Sequence, residues 1–207
     1  SQTRRLAAIL AADVAGYSRL MGADEEGTLE RLKALRRELL DPQIAEHHGR
    51  IVKTTGDGML VEFASVVDAV RCAVAVQQAM PERNTGVEAD NRIELRIGIN
   101  LGDVIVEGDD IYGDGVNVAA RLQALAEPGT VYVGESTRHA TEPTIVYEEA
   151  GSFELKGKEG LVPLWKAVRV VSGVRGTLKS QGLEAPFVGR DREWAHRAGP
   201  DVRRDCR

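Results

Sequence analysis

Arg50-Ile51-Val52-Lys53-Thr54-Thr55-Gly56-Asp57-Gly58-Met59-Leu60-Val61-Glu62-Phe63 holds two short strand-like runs, 50–55 and 59–63, around a Gly-Asp-Gly connection. Two such runs joined by a tight glycine-bearing turn predict a β-hairpin, so the sheet that contains them is at least partly antiparallel. Asp57 then lies at the turn. Before the hairpin, residues 24–48 place Leu29, Leu32, Leu35, Leu39 and Leu40 mostly three or four apart, behind acidic Asp24-Glu25-Glu26 and ahead of Gly49. That pattern predicts a helix, with Pro42 as a break near its end. Farther upstream, Leu6-Ala7-Ala8-Ile9-Leu10-Ala11-Ala12 reads as a buried strand that stops at Asp13, with Gly16 close behind.

After the hairpin, residues 65–80 show an apolar face of Val66, Val70, Ala73, Val74 and Val76 behind a capping Ser65, which predicts a second helix. The polar stretch 81–91 reads as a loop. Residues 93–100 alternate (Ile93, Leu95, Ile97, Ile99), and 104–106 follows Gly102, which predicts a second hairpin. A glycine-rich loop, 108–115, leads into a helix at 116–126, and the strand 131–133, a helical turn at 136–140 and strands at 145–155 and 164–168 complete the pattern. This order predicts an α+β fold, a mixed or antiparallel sheet with helices on one face.

The chain has 207 residues, 43% hydrophobic and 29% charged, which suits one packed domain or one domain with an appendage. Residues 1–170 carry the periodic pattern; residues 171–207 lack it and read as a linker and a poorly ordered tail. The net charge is −5, yet residues 170–207 carry eight Lys/Arg against five Asp/Glu, so the acidity is concentrated in the main domain. An acidic domain with only 4% aromatic residues argues against nucleic acid and anionic membrane as partners and suits one that holds divalent cations. No apolar run approaches the roughly 20 residues of a membrane span, and nothing at the start directs secretion. Two cysteines, Cys72 and Cys206, make no disulfide framework, so the expected setting is reducing and cytoplasmic.

Asp13 at a strand end and Asp57 on a turn can meet at one sheet edge if their strands are neighbours, and paired aspartates near glycines can hold divalent ions and the phosphates those ions bind. Aspartate at a turn is also common for backbone reasons alone. Lys53 precedes Asp57 on the strand entering the turn, and Asn117 and Arg121 share one helix face at i and i+4. Taken alone, each of these reads as solvated surface. Residues 151–158 fail the Walker pattern because no Ser or Thr follows Lys158, and the four histidines form no metal-ligand spacing.

Three segments taken together carry more. Ile9-Leu10-Ala11-Ala12-Asp13-Val14-Ala15-Gly16-Tyr17-Ser18, Lys53-Thr54-Thr55-Gly56-Asp57-Gly58 and Asp110-Ile111-Tyr112-Gly113-Asp114-Gly115-Val116-Asn117-Val118-Ala119-Ala120-Arg121 resemble, in order and spacing, the class III nucleotidyl cyclase catalytic domain. The likeness runs from about Arg5 to Val168. It implies a ferredoxin-like core, a head-to-tail homodimer and active sites between protomers. It also implies that Asp13 and Asp57 bind two Mg²⁺ or Mn²⁺ ions, that Lys53 and Asp110 read the purine of ATP, and that Asn117 and Arg121 hold the ribose and the transition-state phosphate. A triphosphate-binding lysine is implied near Phe153-Glu154-Leu155-Lys156-Gly157-Lys158, with Lys156 preferred to Lys158.

All six motif positions carry the residue types of an adenylyl cyclase, so the expected activity is formation of cyclic AMP. A catalytically silent cyclase-like module for nucleotide binding or dimerisation is the rival. A diguanylate cyclase would need a Gly-Gly-Asp/Glu-Glu-Phe loop where this hairpin reads Thr55-Gly56-Asp57-Gly58-Met59. In the tail, Ala185-Pro186-Phe187-Val188-Gly189-Arg190-Asp191-Arg192-Glu193 resembles the entry to an ATPase module found behind such domains.

Overall fold

The hairpin forms in the computed structural model, which describes residues 3–171. β2 (Arg50–Thr55) and β3 (Gly58–Phe63) pair antiparallel with Thr55 opposite Gly58, so Gly56 and Asp57 make the turn. Gly56 has φ +58°, a left-handed conformation that glycine adopts without a Cβ clash. Beside β3 lies β1 (Thr3–Val14), then β4 (Leu95–Glu107), β6 (Thr130–Gly134), β8 (Leu161–Val170) and β7 (Ile145–Glu154), while short β5 (Asp110–Tyr112) pairs with β4. Only the β4–β6 pair is parallel among the described strands. The order β2-β3-β1-β4, with helices after β1 and β3, is the ferredoxin-like core.

The crossover from β1 to β2 is segmented where the sequence predicts one helix. It contains α1 (Tyr17–Ala23), α2 (Glu25–Leu35), a π-helical turn (Arg36–Leu40) and α3 (Asp41–Glu46). Asp24 caps α2 by accepting the Gly27 amide at 2.9 Å. Pro42 does not end the helical path: Leu40 and Asp41 before it stay helical, and a π-helical turn leads directly into it. The stop lies one residue earlier than Gly49: His48 takes the left-handed conformation (φ +59°), and the Gly49 amide reaches back to the Ile44 carbonyl at 2.8 Å. Gly49 answers a different demand, since a Cβ there would lie 2.6 Å from the Phe63 ring.

Ser65 caps α4 (Val66–Arg83) through the Asp68 amide, and the helix continues past its expected end, with Pro81 inside it. On one sheet face Ala8, Leu10, Val61 and Phe63 pack with Val70, Ala73 and Val74 of α4 and with Leu32, Leu35 and Ile44. Cys72 is buried on this side, and burial pushes its thiol up to about 12. The expectation that the helices share one face fails for α5 (Asp114–Leu125): its Ala119 joins Ala7, Ile9, Ala11, Leu60, Val104 and Ile111 on the opposite face. A further helix, α6 (Glu135–Thr141), follows β6.

The second hairpin is also displaced. β4 runs unbroken through Gly102, paired with β1 from Val14–Leu95 to Thr3–Val106, and turns at Gly108 and Asp109 into β5. The glycines of β4 mark close approach instead: a Cβ on Gly98 would lie 2.2 Å from the Gln123 amide nitrogen of α5. The described residues belong to one compact unit, Ser1–Ser172, and no helix among them is long and apolar enough to cross a membrane. The linker, tail and ATPase-entry readings of residues 171–207 fall, apart from Val171, outside the described residues.

Candidate active site

β1 pairs with β3 so that Ala12 faces Met59, which brings the β2–β3 turn beside the end of β1. Asp57 Oδ2 therefore accepts the Val14 amide at 3.1 Å, and the two aspartates meet at one edge of the sheet. Across the β1–β4 ladder Asp13 faces Arg96, whose Nε and Nη2 donate to Oδ1 and Oδ2 at 2.9 and 2.6 Å. This two-pronged bond raises the basicity of Arg96; burial opposes it, and the charges of Asp13 and Asp57 add to the rise. Sequence reasoning missed Arg96. Its signal was a cation at a polar slot of an alternating strand, but the partner lies 83 residues away.

The donor chemistry fits a hard cation. Both groups are carboxylates, oxygen ligands of the kind that Mg²⁺ and Mn²⁺ take. A carboxylate offers about four lone-pair sites, so the bonds from Arg96 and Val14 leave acceptor capacity. The side chains of Asp13 and Arg96 stay 20% and 30% exposed, which keeps the edge open to solvent. No cluster of three or more His, Cys, Asp or Glu forms among the described residues, so water or substrate oxygens would complete a cation's shell here.

A second group forms on β2 and β5. The β2–β3 register steps from Ile51–Val61 to Lys53–Leu60, so Val52 is an extra residue in a β-bulge. The bulge restores Lys53 to the face of Leu60 and Ile111, toward β5. There its Nζ stands 3.4 and 3.5 Å from the Asp110 carboxylate oxygens and 5.7 Å from the centre of the Tyr112 ring. The Ile111 amide donates to Asp110 Oδ1 at 2.8 Å. That bond is the main cause holding the Asp110 carboxyl below its usual range; slight burial opposes it, and the Tyr112 hydroxyl and Lys53 ammonium add to it. Tyr112 is shifted up in turn, first by Asp110.

The third group lies on α5 and the β7–β8 connection. Asn117 is exposed and Arg121 half-buried one turn further along the helix. Arg121 donates from Nη1 to the Lys156 carbonyl, which docks the connection on the helix, and the Lys156 side chain is exposed. Lys158 instead lines a broad cavity of about 740 Å³ together with Asp114 and Gly115 of α5 and Asn100 of β4. Among the described residues no hydrogen bond or ion pair joins Asp13 or Asp57 to Lys53, Asp110, Asn117, Arg121 or Lys156; each group keeps its own partners.

Residues 1–166 match the family model for the adenylate and guanylate cyclase catalytic domain. The chain is 50% identical over 164 residues to the Rhizobium meliloti (strain 1021) protein named "Putative adenylate cyclase 3", an alignment covering 78% of this chain and 28% of that protein. It therefore spans less than a third of that relative's length. The crystal structure of an adenylate/guanylate cyclase/hydrolase from Silicibacter pomeroyi aligns with a TM-score of 0.75 at 47% identity, covering 82% of this chain and 99% of that one. The adenylyl cyclase CyaB from P. aeruginosa shares the fold, with a TM-score of 0.73 at 23% identity over 82% of this chain and 96% of that one. With its ferredoxin-like sheet order and a match that spans nearly all the described residues, this chain belongs to the adenylate and guanylate cyclase catalytic-domain family.

Proposed function

We propose that the chain is an adenylate cyclase domain that converts ATP to 3′,5′-cyclic AMP and pyrophosphate in a head-to-tail homodimer. The observation that carries the choice of ATP is the Lys53–Asp110 pair, a donor and an acceptor held 3.4 Å apart. Adenine presents an amine donor at N6 and an acceptor at N1, which suit Asp110 and Lys53; guanine presents the reverse polarity. Asp110 is a carboxylate, hence an acceptor only, at neutral pH. Discrimination then comes from unpaired polar groups rather than from pocket shape.

Asp13 and Asp57 would hold two Mg²⁺ or Mn²⁺ ions, which when bound lower the pKa of the ribose 3′-hydroxyl and neutralise the triphosphate. The 3′-oxygen bonds to the α-phosphorus as the bond to pyrophosphate breaks, and the hydroxyl proton leaves to solvent. Negative charge grows on the phosphoryl oxygens, where Arg121 supplies a guanidinium. That group has five N–H donors, so its bond to the Lys156 carbonyl leaves others for phosphate. Asn117 orients the ribose, and Lys156 binds the triphosphate. In the dimer the carboxylate edge of one protomer faces the other groups of the second, so each cleft needs both chains.

A silent nucleotide-binding module is disfavoured by the full set Asp13, Asp57, Asn117 and Arg121. We place the reaction in the cytoplasm, in keeping with the reduced, buried Cys72. The test is to incubate the chain with ATP or GTP, each with Mg²⁺ or Mn²⁺, and separate the cyclic products by chromatography. Cyclic AMP should form with a kcat/KM at least about tenfold above that for cyclic GMP. Equal values would remove the ATP assignment, and no product from a dimeric sample would favour the silent module.

A further inference from the structure

We propose that Arg50 is a positioning residue for purine selection, setting the distance between Lys53 and Asp110; this rests on the reading of those two residues as the base-recognising pair. Arg50 opens β2 and faces Glu62 across the hairpin. Its Nε and Nη2 donate to Glu62 Oε2 at 3.1 and 2.7 Å, while Nη1 donates to the Asp109 carbonyl at 2.7 Å. Glu62 is only 5% exposed, and its other oxygen meets Arg5 Nη2 at 2.6 Å. One buried carboxylate thus takes a cation on each oxygen and ties β1, β2 and β3 together. The part of Arg50 left over reaches out of this anchor to the turn that immediately precedes Asp110.

That reach matters because β5 has three residues and pairs with β4 alone among the described strands. The backbone ladder therefore leaves its height above β2 open. The Lys53–Asp110 contact is too weak to set it: 3.4 Å is long for a charged hydrogen bond, and the side chains are 46% and 33% exposed. The Arg50 side chain is 42% exposed as well, but its bond to the Asp109 carbonyl is shorter, at 2.7 Å, and its other end is forked onto buried Glu62. The Val52 bulge puts Arg50 and Lys53 on the same face of β2, so both reach the same hairpin, one as a strut and the other as a reader. Because the strut carries the fixing, Lys53 and Asp110 keep donor and acceptor capacity for a base.

Arg50→Lys separates positioning from folding. Lysine retains the charge beside Glu62, but its single nitrogen cannot make the forked bond to Glu62 and reach the Asp109 carbonyl as well. In the full chain, kcat/KM for ATP and GTP is measured for wild type, Arg50→Lys, Arg50→Ala and Asp110→Asn, together with amide hydrogen exchange over residues 109–112. Arg50→Lys should unfold at a temperature close to wild type, lower the ATP:GTP ratio about three- to tenfold and speed exchange in that segment. Arg50→Ala should show the same changes or larger. If Asp110→Asn moves the ratio and folded Arg50→Lys does not, the proposal is overturned while the base reading stands. If Asp110→Asn leaves the ratio unchanged, the base reading falls and the proposal falls with it.

Discussion

The carboxylate edge and the Lys53–Asp110 corner belong to one sheet but are held in opposite ways. Asp13 lies on a central strand and Asp57 on a two-residue turn, and the sheet itself supplies their partners: Arg96 directly across a ladder and the Val14 amide. Lys53 and Asp110 come from an edge strand and a short appended strand, and they meet through exposed side chains at 3.4 Å. Backbone register fixes the first pair; reach and a neighbouring strut hold the second. The difference teaches where each kind of precision is needed. Like charges must be concentrated despite their repulsion, which takes a rigid frame, whereas the proposed reading of a flat base needs two groups not already satisfied by each other.

The sharpest way to break this contrast is to remove the edge. Asp13→Ala and Asp57→Ala should each lower kcat at least about 100-fold, because on the proposed mechanism each deletes an oxygen ligand from the reacting centre. The fold should survive, as near-wild-type circular dichroism would show, at a stability cost of about 1 kcal/mol, from a part-exposed Arg96 left unpaired in Asp13→Ala and from the Val14 amide left without its acceptor in Asp57→Ala. Parent-level turnover in either variant would detach the edge from the chemistry. A smaller effect is expected from mixing. Asp57→Ala and Arg121→Ala should each be inactive alone, but together they should recover up to about a quarter of parent activity, since half of the randomly formed dimers would be mixed and on the proposed shared-site arrangement each of those would have one intact cleft. A mixture as inactive as its components, with subunit exchange demonstrated by mass spectrometry, would place both groups in one chain's site.

The smallest of these effects concerns the corner. Lys53→Glu with Asp110→Cys reverses the hydrogen-bond polarity offered to the base, so the ratio of kcat/KM for ATP over GTP should fall about tenfold or more, while turnover on both nucleotides stays measurable. An unchanged ratio in a folded dimer would leave the corner without a role in selection.

Local signals were legible and long-range ones were not. The Gly56-Asp57 turn, the Ser65 cap and the stop of β1 near Asp13 follow from a few neighbouring residues, and each is found where the sequence places it within a residue or two. Gly102 misled because a glycine in a strand signals either a turn or a close neighbour, and the neighbour, α5, is set by tertiary packing. Pro42 misled because the π-helical turn that leads into it is not written in any spacing of leucines. The face chosen by α5 and the pairing of Arg96 with Asp13 both depend on strand order. Of the site, Asp13, Asp57, Lys53, Asn117 and Arg121 could be singled out by type and place and Asp110 only by family resemblance, but the Val52 bulge that turns Lys53 toward Asp110 could not, since nothing in Ile51-Val52-Lys53 marks an extra residue.

Gly98 of β4 and Gly115 of α5 give the helix two main-chain bearings. A Cβ on the first would lie 2.2 Å from the Gln123 nitrogen, and one on the second would lie 2.8 Å from the Asp103 oxygen. Asn117 and Arg121 fall between these bearings, which are about 12 Å apart along the helix axis. Most helices rest on a sheet through a cushion of side chains that can change rotamer and let the rod roll or creep. α5 lacks that cushion at both ends of the segment that matters, so its axial slip and roll are limited by nearly incompressible backbone. The backbone positions of Asn117 and Arg121, the proposed ribose and phosphate contacts, therefore share a single positional error. A displacement of the helix that shifts the Asn117 backbone must shift the Arg121 backbone by the same rigid-body motion, and only side-chain rotamers are left to move independently.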